Sequence, residues 1–488
     1  MHLSKLVTAL QSLDEDRFKR LGDYIRSPFF KVPTHSVNLF NFLEPLYPKF
    51  PEKKVTIENI AVVAQNLSTF SKQARAGSEL LERIQDFMAY ENWDKDQKAK
   101  RFNQVRAYNE HQLITQFNWG FEDGMKELTQ DPEQDVQTFL YRHLLTELSF
   151  NGFAAKLNRT VQNDIKPVIT SLDEFYALKR LRYMVEAQSR NQVLGTAYDD
   201  TQVKALLKTL EPYTNDKYPY VYLFVNVYRM MEEHVYEESD LYYRFIKQFI
   251  ESDDKGPVSV SVTEVLIYAI NNRLKWFNLG HTAAGDDYLW CVEWQMDRNL
   301  LLKDLKLQPI TFRNIITIAT INKYKVDWID QAIKKYSQYL PEEYKDTYLN
   351  FGRGLYHYAR KDHKEASRSF LSAQAKEEPI FNSIIRRWQW MSSFECDPFD
   401  TDTLLNQLLS FQKYLARNQN ELRSVAKPFN QFISYSEKLV KATKEQAENF
   451  LLELKSEEHF PGSLWLAEQL QQKTKTGTRA AAAIGARS

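Results

Sequence analysis

Thr347-Tyr348-Leu349-Asn350-Phe351-Gly352-Arg353-Gly354-Leu355-Tyr356-His357-Tyr358-Ala359, followed by Ala366-Ser367-Arg368-Ser369-Phe370-Leu371-Ser372-Ala373 and closed by Pro379, decides the fold. Gly354 in the first segment stands twelve residues before Ala366, with Phe370 and Ala373 following at intervals of four and three. Residues three and four apart share one face of a helix. A small residue on one helix and Ala-x3-Phe-x2-Ala on the next let two helices cross closely, while the aromatic ring fills the remaining gap. Pro379 suits a first helical position, so it opens the next helix.

This spacing resembles that of a tetratricopeptide (TPR) repeat. It departs from the consensus at Asn350, which stands where a tryptophan is expected, so the repeat is degenerate. Further first helices are expected near Tyr218, Ser261, Pro309, Thr347 and Pro379. Units of roughly 32–48 residues have the period of helical solenoids. In 261–298, Gly280 reads as a left-handed C′ glycine. In 309–340, Ile310 to Ile321 pairs with Trp328 to Leu340. Thr443-Lys444-Glu445-Gln446 is a capping box opening a last helix.

Composition agrees. Only 14 of 488 residues are glycine, below the usual share of roughly 7%, which disfavours hairpin turns and phosphate-cradling loops. The chain exceeds one ordinary core in length. The predicted fold is all-α: an α-solenoid of TPR-like helical hairpins over 131–472, preceded by an N-terminal helical domain over 1–130. Residues 473–488, with Lys473, Lys475, Arg479, Arg487 and an alanine run, read as a disordered basic tail.

In the N-terminal domain, Ser12-Leu13-Asp14-Glu15 fits a capping box, and Pro28 ends the helix it opens. Phe29 and Phe30 are expected to plug a gap between helices. Asp131-Pro132-Glu133 reads as a helix start. The first residues form an amphipathic helix, not a signal sequence, and no stretch approaches a membrane span. Cys291 and Cys396 lack paired spacing and read as buried, reduced thiols in the cytoplasm.

Ser27-Pro28-Phe29-Phe30, Thr311-Phe312-Arg313-Asn314-Ile315-Ile316 with Asp327-Trp328, Tyr339-Leu340-Pro341, and Ser410 to Asn418 leading to Phe429-Asn430-Gln431-Phe432-Ile433 together resemble a family of uncharacterised helical proteins of the Bacteroidota. The resemblance covers most of the chain to about residue 440. It implies TPR-like hairpins behind an N-terminal helical domain, and no activity.

No P-loop, dinucleotide-binding glycine motif, zinc-protease helix or nucleophile elbow is present. His357 and His363 lack a third clustered ligand. No cofactor or metal is expected, and the chain reads as no enzyme. Lys plus Arg equals Asp plus Glu at 64 each, so no global basic footprint marks a nucleic-acid binder. The local basic run Lys95 to Arg101 reads as a solvated helix face. Glu232-Glu233-His234 with Glu237-Glu238 favours a helix N-terminus. Arg386-Arg387-Trp388-Gln389-Trp390 reads as a buried stripe edged by snorkelling arginines, with single-strand binding as the competing reading.

The function expected is a protein–protein interaction scaffold. Stacked first helices offer a concave groove to a protein or peptide partner, lined by Asn271, Arg273, Asn314, Asn350, Arg353 and His357. The alternative is an RNA- or ribosome-associated factor using the 95–101 face, Arg386, Arg387 and the tail.

Overall fold

A computed structural model describes residues 4–63, 67, 69–131, 134–152, 164–194, 201–210, 218–252, 258–375, 378–423 and 425–485. The fold is all-α, as expected, with 24 α-helices and no strand among the described residues. It divides into two compact units, Met1–Asp131 with Val136–Phe175, and Pro132–Asp135 with Tyr176–Ser488.

In the first unit α1 (Ser4–Gln11), α2 (Glu15–Arg26), α3 (Thr34–Leu43), α4 (Ile57–Val63) and α5 (Phe70–Lys95) bury Leu10, Phe18, Leu21, Phe40, Leu80 and Ile84 together. The cap of α2 differs from the expected box. Asp14 Oδ1 accepts from Arg17 N at 2.8 Å, while Ser12 Oγ donates back to Ala9 O at 2.7 Å. Asp14 directly precedes the first helical residue and so takes the N-cap position. Phe29 plugs nothing, being 81% exposed. Phe30 alone packs inward, stacked on Tyr24 at 4.0 Å.

Next come α6 (Gln97–Glu110), α7 (Ile114–Gln130) and α8 (Val136–Asn151). The division between units lies well beyond Asp131 because Leu145 of α8 shares a core with Val105, Phe117 and Leu128 of α6 and α7. Pro132 and Glu133 of the expected helix start lie outside the described residues. The division falls inside α9 (Lys166–Leu194).

The second unit continues with α10 (Thr201–Thr209) and the helical pairs α11 (Pro219–Glu232) with α12 (Tyr236–Ser252), α13 (Val260–Asn278) with α14 (Thr282–Asp297), and α15 (Pro309–Ile321) with α16 (Val326–Ser337). Then follow α17 (Glu342–Ala359) with α18 (His363–Ser372), and α19 (Pro379–Cys396) with α20 (Thr401–Arg417). The expected first helices are all present. Only α17 begins clearly early, because Pro341 takes its N-cap and Glu342 and Glu343 its first turn, where carboxylates offset the helix dipole.

Gly280 has φ +98°. His281 N donates to Trp276 O at 3.1 Å and Gly280 N to Phe277 O at 2.9 Å, the paired bonds of a Schellman motif. The crossing of α17 and α18 is as tight as the spacing predicts. A Cβ at Gly354 would stand 2.6 Å from the Phe370 ring, and Ala366, Phe370 and Ala373 are fully buried.

The chain ends in α21 (Gln419–Leu422), α22 (Ala426–Lys441), α23 (Lys444–Ser456) and α24 (Ser463–Gly485). The predicted Thr443 capping box is present, with Thr443 N donating to Gln446 Oε1 at 2.9 Å and Gln446 N to Thr443 Oγ1 at 3.4 Å. The tail expected to be disordered is helical to Gly485, consistent with the high helix propensity of its alanines. Residues 486–488 lie outside the described residues.

Overpacking the α17–α18 crossing should be costly. Gly354→Ala is expected to lower the unfolding free energy by about 1–3 kcal/mol, read as a lower urea midpoint. An unchanged midpoint would show that the crossing is loose.

Candidate functional site

Helix α17 carries the clearest of the expected partner-binding positions. Asp346, Asn350, Arg353 and His357 recur at intervals of three and four, so they form one stripe. Arg353 is exposed and Asn350 and His357 are half-buried. Asn350 Nδ2 donates to Ser372 O at 3.4 Å, tying α17 to the end of α18. His357 Nδ1 lies 3.8 Å from Asp362 Oδ2. Asn271, on α13, is also exposed.

The other two positions behave differently. Asn314 is half-buried and accepts from Nε and Nη2 of Arg313 at 3.3 and 3.1 Å. It also hydrogen-bonds Tyr288, whose hydroxyl burial pushes up to about 12. Arg273 lines no surface: it is 0% exposed. Its guanidinium donates to Asp240 Oδ1 at 2.8 Å, Asn272 Oδ1 at 2.7 Å and Ser239 Oγ at 3.3 Å, and lies over the Tyr243 ring at 4.3 Å. Arg244 joins Asp240 to Asp287, reaching the latter at 2.9 Å. Ser239 Oγ and Asn272 Nδ2 both donate to Met230 O. The cluster therefore satisfies a carbonyl near the end of α11 while joining α12, α13 and α14. Burial raises Asp287, against the opposing pull of Arg244, Lys247 and Arg273. Nearby Cys291 is pushed up to about 12 by burial, so its thiol stays protonated at neutral pH.

The last helix and the loop before it reach successive hairpins of this unit. A Cβ on Gly280, at the α13–α14 turn, would meet His459 Nδ1 at 2.9 Å. Lys323, at the α15–α16 turn, pairs with Glu468 at 3.1 Å. Tyr358, near the end of α17, lies within electrostatic reach of Glu468. Glu395, near the end of α19, accepts from Trp465 Nε1 and Gln469 Nε2, both at 2.8 Å. Trp465 packs edge-on to Trp390 and Phe394. Lys473 Nζ donates to Leu439 O at 2.8 Å, in the last turn of α22. Leu466 and Leu470 are fully buried. The hairpins thus hold an amphipathic helical segment by an apolar stripe flanked with polar ties.

Two cations on first helices point inward. Arg387, on α19, is 6% exposed, and its Nε has no hydrogen-bond partner. Burial and then the charge of Arg313 push it down to about 10, which leaves it charged at neutral pH. It is not a snorkelling edge residue. Arg313, on α15, is lowered by burial, with Tyr348, Tyr288 and Glu378 acting in the opposite direction. Arg386 lies over the Tyr414 ring at 4.5 Å. Trp388 is buried, as the stripe reading expects. Periodicity marks such positions as inward but cannot say whether a partner awaits them.

The remaining basic run is neutralised within its own unit. Lys98 pairs with Asp131, Lys100 with Asp94, and Arg101 with Asp123 and Glu127. A cleft of about 270 Å³ lies beside α18, lined by His363, Lys364, Arg368, Cys396, Asp397 and Asp400. Cys396 is exposed there and not buried as expected, because it is the last residue of α19. The Asp397 and Asp400 carboxylates accept from Phe399 N and Thr403 N. Among the described residues no group of three His, Cys, Asp or Glu could hold a metal ion. Compared with known proteins, the chain matches no family model, no curated protein and no solved structure.

Arg273→Ala should destabilise the protein by about 3–5 kcal/mol, since it removes a fully buried cation from its hydrogen-bonded network with Asp240, Asn272 and Ser239, whereas Arg353→Ala should be nearly neutral. Equal unfolding midpoints for the two variants would contradict the assignment of Arg273 to the core. A pH effect is expected as well. Burial holds His363 and His459 below the ordinary histidine value of 6.5. The unfolded chain therefore takes up protons first, and stability falls as pH drops through that value toward the folded ones. His459→Gln should flatten this fall in thermal melts between neutral and mildly acidic pH. An unaltered slope would remove His459 from the account.

Proposed function

We propose that the chain is a non-catalytic protein–protein interaction scaffold whose TPR-like hairpins hold a segment of a protein partner. One observation carries the reading: the unit already receives a helix, its own α24, through contacts with Lys323, Glu395 and Leu439. Helix-in-groove recognition uses this chemistry, with buried apolar anchors spaced along one helix face and polar ties at its edges. The exposed stripe of α17, with Arg353 at its middle, is the surface assigned to the partner. Asn271 and Asn314 extend that assignment to α13 and α15.

The RNA-binding alternative loses its main support in the pairing of Lys98, Lys100 and Arg101 with carboxylates. Neither cysteine forms a disulfide, and no helix among the described residues is long and apolar enough to cross a membrane. Both facts accord with a cytoplasmic scaffold.

Arg353→Glu in the tagged full-length protein should reduce recovery of its principal partner several-fold while circular dichroism stays unchanged. Full recovery by the variant would remove the α17 stripe as the binding surface.

A further inference from the structure

We infer that Arg387, with Arg313 beside it in electrostatic reach, forms an oxyanion-binding site within the repeat unit, which accepts a carboxylate or phosphate group carried by the partner. The inference deepens the scaffold reading and rests on it for the source of the anion, though not for the site itself.

A guanidinium presents five donors in a planar fork and keeps its proton at neutral pH. Buried without a counter-charge it is strongly unfavourable. Arg387 is in that position: 6% exposed, with no hydrogen bond or ion pair to any described residue. The charge acting on it is another cation, Arg313, whose hydrogen bonds go only to the adjacent Asn314 Oδ1. Two cations sharing a neighbourhood call for an anion between or beside them.

No carboxylate among the described residues is paired with Arg387. Glu395 is held by Trp465 and Gln469, and Glu378 accepts from Tyr348 Oη at 2.9 Å. Glu457 accepts from Gln431 at 3.1 Å, and Glu458 pairs with Lys427 at 3.4 Å. These acids bond to other side chains, Glu378 lies within electrostatic reach of Arg313, and none of them reaches Arg387.

The surroundings hold a second unpartnered polar atom. Gly462, at φ +102°, brings bare backbone against the stem of Arg387, where a Cβ would lie 3.5 Å from its Cδ and 2.8 Å from the Phe432 ring. One turn along α22 from Phe432, the fully buried Ser436 Oγ also lacks a partner. Water satisfies donors but supplies no counter-charge, and a carboxylate or phosphate does both, with two oxygens matched to the guanidinium fork.

The test uses the full-length protein and thermal unfolding at matched ionic strength in sodium chloride, sodium acetate or sodium phosphate. A bound anion at ten times its Kd raises the folded-to-unfolded ratio about 10-fold, so the midpoint should rise in acetate or phosphate relative to chloride. Phosphate also strengthens apolar burial by exclusion from the surface, so binding is the part of the rise that Arg387→Met loses: a loss in both salts marks a carboxylate-tolerant site, and a loss in phosphate alone a phosphate-bearing partner. No rise in either would overturn the inference. Arg387→Met should abolish the response and match or exceed the wild-type midpoint in chloride, because it removes an uncompensated buried charge. A full anion response in that variant would also overturn the site. Arg313→Met provides a second variant, expected to blunt the response, and an undiminished response would remove Arg313 from it. Should wild type ignore both anions while Arg353→Glu still loses its partner, the anion site falls and the scaffold reading stands. If the anions act but Arg353→Glu retains its partner, the scaffold surface fails and the anion site remains.

Discussion

The Phe370 ring lies against the bare backbone of Gly354, closer than any side chain on that residue would allow. Much of the repeat unit depends on that approach. It lets α17 and α18 cross tightly enough for Phe370 to contact Phe351 at 5.7 Å and Trp388 at 6.3 Å. Phe351 in turn meets Phe381, which stacks on Tyr348 at 4.4 Å. The next hairpin is thus seated by rings that the first crossing placed. Dispersion and area burial supply the energy, while the missing side chain supplies the geometry.

Within this apolar frame the unit buries charge in two contrasting ways. Around Arg273, every main group finds an opposite: Asp240, Ser239, Asn272 and the face of Tyr243. That network is closed and binds four helices to one another. Around Arg387 the same guanidinium chemistry is left open, and the neighbouring acids are held elsewhere. A closed network stabilises, whereas an open one costs stability until something completes it. The difference between the two arginines lies in their partners and not in their burial.

This contrast also explains what the sequence could and could not reveal. The hairpins were legible because Gly354, Ala366, Phe370 and Ala373 encode a local crossing, and because Gly280 and Thr443 terminate or open helices through bonds to residues within five positions. The fate of Arg273 was not legible. Its partner Asp240 lies 33 residues away, and a first-helix arginine has the same local pattern whether it faces solvent or a carboxylate. The unit boundary was missed for a similar reason: Leu145 joins a core formed by helices before Asp131, and no composition shift marks that contact. The candidate surface was legible on α17, where a single stripe carries it, and obscure at Arg387, where tertiary enclosure decides the chemistry.

The central claim is that the hairpins form a receptive surface for a helical segment, with α24 as the resident example. Native-state hydrogen exchange measures this directly. The amides of Leu466 to Gln472 should exchange as slowly as those of α19, opening only with the repeat unit as a whole. Exchange of these amides at unprotected rates, while α19 stays protected, would show that the hairpins do not hold the helix and would contradict the account.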